Sequence, residues 1–280
     1  MPAFKGKNLR SGDIAEQVGL LLLQSVSLVA PVPRTEDIGI DAVATLITDY
    51  NNYNYIAEDS FLVQIKSSSV TEVEFTKGQV KWLCDLQLPL FIASVDRKTS
   101  SIKIFSTHSL SNAIVENANR ERINFVLTKN YDGDIPGKNS SIDLPIGPHI
   151  LEWSLESLEK NSDFIKEFYQ IMKSHILLVK KAIETRRVGF VELATWNTGS
   201  PPSVYGSMIH PIADAKVLDE TTAPYFSALL KNMVFEKDFF TMRSLYRLLS
   251  DVLEREGHFE DVDGKRELIK WTAPNINNSL

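Results

Sequence analysis

The chain has one cysteine, Cys84, among 280 residues, which excludes an internal disulfide framework and any cysteine-based zinc site. In the setting VKWLCDLQ that residue reads as a small buried side chain on a helix. Long apolar runs are missing too: no stretch approaches the roughly 18 residues of a membrane span. Lys5, Lys7 and Arg10 ahead of Leu20–Leu23 imitate a signal peptide. Asp13 and Glu16 intervene, however, and Gln24 and Ser25 interrupt the run, so a cytosolic amphipathic helix is the expectation, in a reducing, cytoplasmic setting. The five histidines, His108, His149, His175, His210 and His258, are scattered. None forms an HExxH or other ligand-spaced pair, which leaves them ordinary structural or surface roles. Ser67, Ser68 and Ser69 lack the glycines and following helix of a phosphate-binding loop. No repeat and no low-complexity tract is present. The net charge of −6 excludes a strongly basic coat for nucleic acid, though not an enzyme that needs only a local basic track and a metal.

What is present reads as an α/β chain. Ser11 or Asp13 can cap a first helix over GDIAEQVGLLLLQ, with Ile14, Val18, Leu21 and Leu22 spaced for one face and Glu16 at its border. Strands are predicted over Ser25–Val32, Ile38–Thr48 and Phe61–Ser68, the last two joined by a turn at Asn51–Asn54. A helix over Thr76–Leu88 buries Val80, Leu83 and Cys84 or Leu86, and Trp82 on it reads as core. The continuous apolar run LFIASV is expected of a buried central strand, and SIKIFS follows as another. SLSNAIVENANRER is read as a helix. The order is helix, three strands, helix, strand, strand, helix, with a mixed sheet.

Residues 1–127 are therefore taken as one domain. The Gly-, Pro- and Ser-rich stretch 128–150 is a linker or functional loop, and 151–280 is a mainly helical region for dimerisation, recognition or partner contact. In that region Ile165, Phe168, Met172, Ile176, Val179 and Ile183 form a helical stripe over Ser162–Arg187. GFVELATW reads as a strand, Asn197–Pro211 as irregular, and Pro224–Phe235 and Asp238–Glu256 as helices.

The chemistry-bearing stretch is Glu36–Ser69. Asp41 opens one predicted strand and Gln64-Ile65-Lys66 lies in the next. Gln64 and Lys66, two residues apart, point to one face. Asp41 offers a carboxylate, Gln64 a neutral amide oxygen and Ile65 a backbone carbonyl, oxygen donors of the kind Mg²⁺ takes while keeping water and phosphate as further ligands. Lys66 can orient a water or neutralise charge on a phosphate. Glu36 and Asp37 are acids that could assist a second metal, but solvated turn acids are the simpler reading. Taken one at a time, Asp41 is a turn acceptor after Gly39 and Lys66 a solvated strand lysine.

RSGDIAEQ, DIGIDA, LVQIKSSS and VKWLCDLQLPLFIASVD, in that order over roughly residues 8–110, resemble the DUF4365 family of the PD-(D/E)xK nuclease superfamily. The resemblance implies a restriction-endonuclease-like α-β-β-β-α-β core. Asp41 then corresponds to the metal-binding acid, Lys66 to the motif lysine, Glu16 to the glutamate of the first helix, and Gln64 stands where many members carry Asp or Glu, as in the Mrr-like branch. It further implies an Mg²⁺- or Mn²⁺-dependent DNA endonuclease of restriction or anti-phage defence, with DNA, a defence partner protein and a second copy of the chain as partners. Gln64 and the acidic balance favour the alternative, a nuclease-like module that binds nucleic acid or protein without cutting. A third reading is a helical regulatory protein whose activity lies beyond residue 150.

Overall fold

The computed structural model describes residues 7–33, 39–51, 54–133, 136–161 and 163–209. Glu36, Asp37, His210, His258 and the two helices expected after Pro224 lie outside these residues. No helix among them is long and apolar enough to cross a membrane.

The elements run α1 (Lys7–Gln24), β1 (Ser27–Pro31), β2 (Ala42–Asn51), β3 (Asn54–Ser67), β4 (Glu72–Thr76), α2 (Gly78–Asp85), β5 (Leu90–Asp96), β6 (Ser101–Ser106), α3 (Ser109–Glu116), β7 (Arg122–Asn130), β8 (Ser141–Gly147), β9 (Leu151–Ser154), α4 (Leu155–Lys160), α5 (Phe164–Thr185), β10 (Phe190–Thr195) and β11 (Ser203–Ile209). Six strands form one mixed sheet in the order β1-β2-β3-β5-β6-β9. Within it β3 and β5 are parallel and the other neighbours antiparallel. The strands β4-β7-β8 make a second sheet and β10-β11 a hairpin.

Both faces of the large sheet are covered, which is why β5 is apolar without alternation. On one face α1 and α5 bury Ala42, Ala44, Phe61, Val63, Ile65, Ala93 and Val95. On the other, α2, α3 and the small sheet bury Leu62, Ile92, Phe75, Val80, Leu83 and Phe125. The stripe on α5 behaves as its spacing predicts: Phe168, Met172, Ile176, Val179 and Ile183 are buried. A polar clamp adds to it, with Lys173 and Tyr169 of α5 both bonded to the Glu58 carboxylate of β3. Those bonds hold the Glu58 carboxyl below its usual range.

Several expectations change. Helix α1 does not present Ile14 and Leu21, which are exposed; it buries Ala15, Leu20, Leu22 and Leu23. The cause is Gly19, whose missing side chain lets the helix lie directly on β3 and β5. A Cβ there would stand 2.8 Å from Ile65 Cγ2 and 3.1 Å from Val95 Cγ2. Gly19→Ala should therefore destabilise the protein by about 1–3 kcal/mol from overpacking, partly offset by about 1 kcal/mol of helix propensity. A urea-melt midpoint that rises in the variant would disprove so close an approach.

The stretch expected as a loop over 128–150 contains β8, and the helix expected through Arg122 ends at Glu116, with β7 taking over at Arg122. Part of Asn197–Pro211 is β11. Beyond residue 150, the described part combines α4 and α5 with strands, and it is not separate from the first domain: β9 joins the large sheet and α5 seals its first face.

Candidate functional site at the head of β2 and the end of β3

Gly39 turns the chain into β2 with φ +87°, a conformation costly for any residue bearing a Cβ. Asp41 follows, and three hydrogen bonds hold it. Its N–H donates to Val63 O (3.0 Å), its carbonyl accepts from Val32 N (2.9 Å), and its Oδ2 accepts from Ile65 N at 2.6 Å. The carboxylate thus takes the place of a main-chain carbonyl where the β2–β3 ladder ends. The N–H and C=O of a strand residue point to the same side, so the Ile65 carbonyl is directed toward Asp41 as well.

The β2–β3 register ends at Ala42↔Val63, and Asp41, one residue before it, bonds β3 at Val63 and Ile65, the residues ahead of and after Gln64. Gln64 and Lys66 lie beside Ile92 and Ser94 of β5, on the face where Leu62 and Ile92 belong to the second core. Gln64 is 7% exposed and its Oε1 has no hydrogen-bond partner. Leaving a buried amide oxygen unbonded costs about 1–3 kcal/mol. Lys66 is half-buried.

Glu16 comes from elsewhere. It is half-buried on α1, one turn before Gly19, and Gly19 rests on Ile65 and Val95. Helix α1 reverses into β1 through a tight turn, Val26 N donating to Leu23 O, and so runs antiparallel to β1 and β3. Its Glu16 end consequently overlies the carboxyl end of β3, on the face opposite Gln64. The structure thus brings together Asp41, the Ile65 peptide, Gln64 and Lys66, and sets Glu16 at the same end of the sheet across the strand.

Compared with protein-family models, curated proteins and solved structures, the chain matches none of them. The site has to be read from its own chemistry.

No group of three or more His, Cys, Asp or Glu side chains arranged to hold a metal occurs among the described residues. A cation here would be held instead by one carboxylate, one amide oxygen and one main-chain carbonyl, a donor set suited to a hard ion that keeps several waters. The buried Gln64 Oε1, which has no hydrogen-bond partner, fits that use, because a cation would satisfy that acceptor. A depression of about 270 Å³ is lined by Leu62, two residues before Gln64 on β3, and by Trp82, Asp85, Leu86, Gln87 and Leu88. It carries one acid, Asp85, and no convergent polar set.

Cys84 is half-buried, and burial raises its thiol above the usual range, as expected of a packing residue. Sequence reasoning missed two polar groupings. One is the ladder across β4, β7 and β8, where Arg122 bonds Glu74 and Asp143 and the buried Asn124 bonds Glu72 and Asp143. The other surrounds His108 and His175, both fully buried. Neither has a local sequence signal, since each joins residues from separate elements.

Proposed function

We propose that this chain is a metal-dependent phosphodiesterase that cuts DNA, with its site at Asp41, Gln64, Ile65 and Lys66. The observation that carries the proposal is the buried, unbonded Gln64 Oε1 on the residue next to Ile65, whose peptide anchors the Asp41 carboxylate. Asp41 Oδ1, Gln64 Oε1 and the Ile65 carbonyl are the groups that would hold Mg²⁺ or Mn²⁺. When bound, such an ion polarises a phosphate and lowers the pKa of a water. The Ile65 N–H fixes the Asp41 carboxylate in place, so little reorganisation is needed to receive charge. Lys66, on the same face as Gln64, supplies positive charge to an anionic phosphate and a donor to the attacking water. Glu16 serves from the far side of β3 as a second carboxylate. A role in restriction or anti-phage defence, with a partner protein or a second copy of the chain, follows from the resemblance to DUF4365 proteins.

The second reading, a nuclease-like module that binds without cutting, draws on two observations. Gln64 is neutral where an acid would hold metal more tightly, and one Asp41 oxygen is already engaged by Ile65. Plasmid cleavage by the full chain in Mg²⁺ or Mn²⁺ separates the readings: nicked or linear product supports the first. Intact plasmid with well-folded protein, on DNA and RNA substrates alike, supports the second.

Position 64 gives an independent test. Gln64→Glu should tighten Mn²⁺ binding measured by calorimetry by about tenfold or more, one added carboxylate being worth over 1.4 kcal/mol to a partly buried dication. Gln64→Leu should abolish that binding while leaving stability equal or higher, because it removes the unbonded oxygen. Binding unchanged in both variants would place the metal elsewhere.

A further inference from the structure

Among the described residues six buried side-chain atoms have no hydrogen-bond partner, and four of them belong to one cluster: His108 Nδ1, Ser109 Oγ, Asn112 Oδ1 and His175 Nδ1. His108, Ser109 and Asn112 occupy the first turn of α3 and its cap, where residues three and four apart are neighbours. From Asn112 the cluster closes into a ring. Asn112 Nδ2 donates to Tyr131 Oη at 3.1 Å, and Tyr131 stacks on Trp196 with ring centres 6.5 Å apart. Trp196 meets His175 edge-on at 5.3 Å, and His175 lies close enough to His108 for their charges to oppose each other.

Both imidazoles direct Nε2 at the main chain that follows α5. His108 Nε2 bonds Glu192 O of β10 at 2.8 Å, and His175 Nε2 bonds Ser200 O ahead of β11 at 3.2 Å. A carbonyl only accepts, so Nε2 carries the hydrogen in both rings and each Nδ1 is a bare lone pair. Three of the four unbonded atoms are therefore pure acceptors, and whatever completes them must bring donors. The carboxylate whose charge reaches His108 is that of Glu192, and Lys181 takes it up at 2.5 Å. Tyr131 is itself a member of the ring, and the turn after α5 that packs on α3 carries Arg186, whose guanidinium donates to Cys84 O and Leu86 O. A dication here would be left without a counter-charge, whereas water offers two donors and is the usual occupant of a polar interior.

We propose that the ring encloses ordered water that completes two neutral imidazoles, and that His108 and His175 form a latch holding the β10–β11 hairpin on α3 and α5, closed at neutral pH and opened by acid. Burial pushes His108 below its ordinary value near 6.5 and His175 down to about 4. Above pH about 6.5 the closed and open forms both carry neutral rings, and closure is undiminished. Below it the open form takes up protons that the closed form refuses, so closure weakens until the pH reaches the depressed values.

The test is amide hydrogen exchange of residues 190–209 in the full chain between pH 7 and 4.5, corrected for intrinsic rates. In the wild type the hairpin's opening constant is expected to rise by up to about tenfold per pH unit for each histidine, while the β5 amides stay protected. The double variant His108→Gln with His175→Gln, which keeps an amide donor for each carbonyl, is expected to flatten that dependence. Should the double variant fail to fold, the ¹⁵N shifts of the wild-type imidazoles decide: at pH 7 both must report the neutral Nε2–H form with an accepting Nδ1. A hairpin indifferent to pH, an undiminished slope in the double variant, a charged or Nδ1–H ring at pH 7, or a metal ion released by chelator would each overturn the proposal.

Discussion

Under the proposed nuclease function, Lys66→Met and Asp41→Asn are each expected to lower metal-dependent plasmid cleavage by about 100- to 1,000-fold, the loss seen when one preorganised group facing developing charge is removed. The choice of variants follows from the hydrogen bonds. Asp41 is asked to do two jobs, since its Oδ2 terminates the β2–β3 ladder through Ile65 N and, under the proposed function, its charge faces an ion. Asp41→Ala would abolish both and confuse a lost site with a loosened strand. Asparagine keeps an oxygen for the Ile65 N–H and removes the charge, so its melting temperature should stay within a few degrees of wild type while cleavage is lost. Lys66→Met preserves the length of the side chain along the second core and removes only the ammonium. Retained cleavage in either well-folded variant would sink the assignment of that residue, and retention in both would sink the site.

Trp153→Ala should cost about 3–5 kcal/mol, the range for emptying a buried aromatic position. Trp153 is 1% exposed, packs edge-on against Phe168 at 5.2 Å and against Phe164 at 6.0 Å, and donates from Nε1 to Leu22 O at 3.1 Å. One side chain on β9 thus ties α1 to α5. Trp153→Phe keeps most of the packing and abandons the Leu22 carbonyl, for which about 1–3 kcal/mol is expected. Urea denaturation of the three proteins measures both steps. By the same contacts a chain ended at residue 127 should not fold, because it leaves the Phe61–Val63–Ile65 face without Trp153, Phe168, Met172 and Ile176. Cooperative melting of that fragment would show that the later elements are dispensable.

Much of the large sheet was legible, because β2, β3 and β5 are rich in β-branched and aromatic residues and the α5 stripe keeps its period along the helix. The small sheet was hidden. Strand β4 has five residues, three of them Glu or Thr, and its alternation is too brief to stand out. The segment before β7 carries good helix formers up to Arg122, and β8 contains Pro145 inside a stretch of turn residues. In each case pairing in the fold outweighs local preference. Helix α1 shows a different limit: periodicity located the helix and rightly put Val18 and Leu22 toward the core, but it turned Ile14 and Leu21 inward where Ala15, Gly19 and Leu23 are buried instead. At the site, the adjacency of the two strands that carry or follow Asp41 and Gln64 could be anticipated, and β2 does pair with β3. The bond from Ile65 N to the carboxylate and the burial of Gln64 could not, because both depend on where the ladder stops.

The tie between Trp153 and Leu22 also bears on synthesis. Helix α1 is made well before β9 and α5, yet the partners that cover its face of the sheet include Trp153 and residues as late as Ile183. At the usual 5–20 residues per second, the ribosome needs about 8–30 s to travel that far. During this interval the apolar side of α1 and the edges of β1–β3 have no native cover. The nascent chain is a substrate for chaperones until α5 emerges, and mutations that slow the closing of α5 should reduce soluble yield before they measurably alter the finished protein.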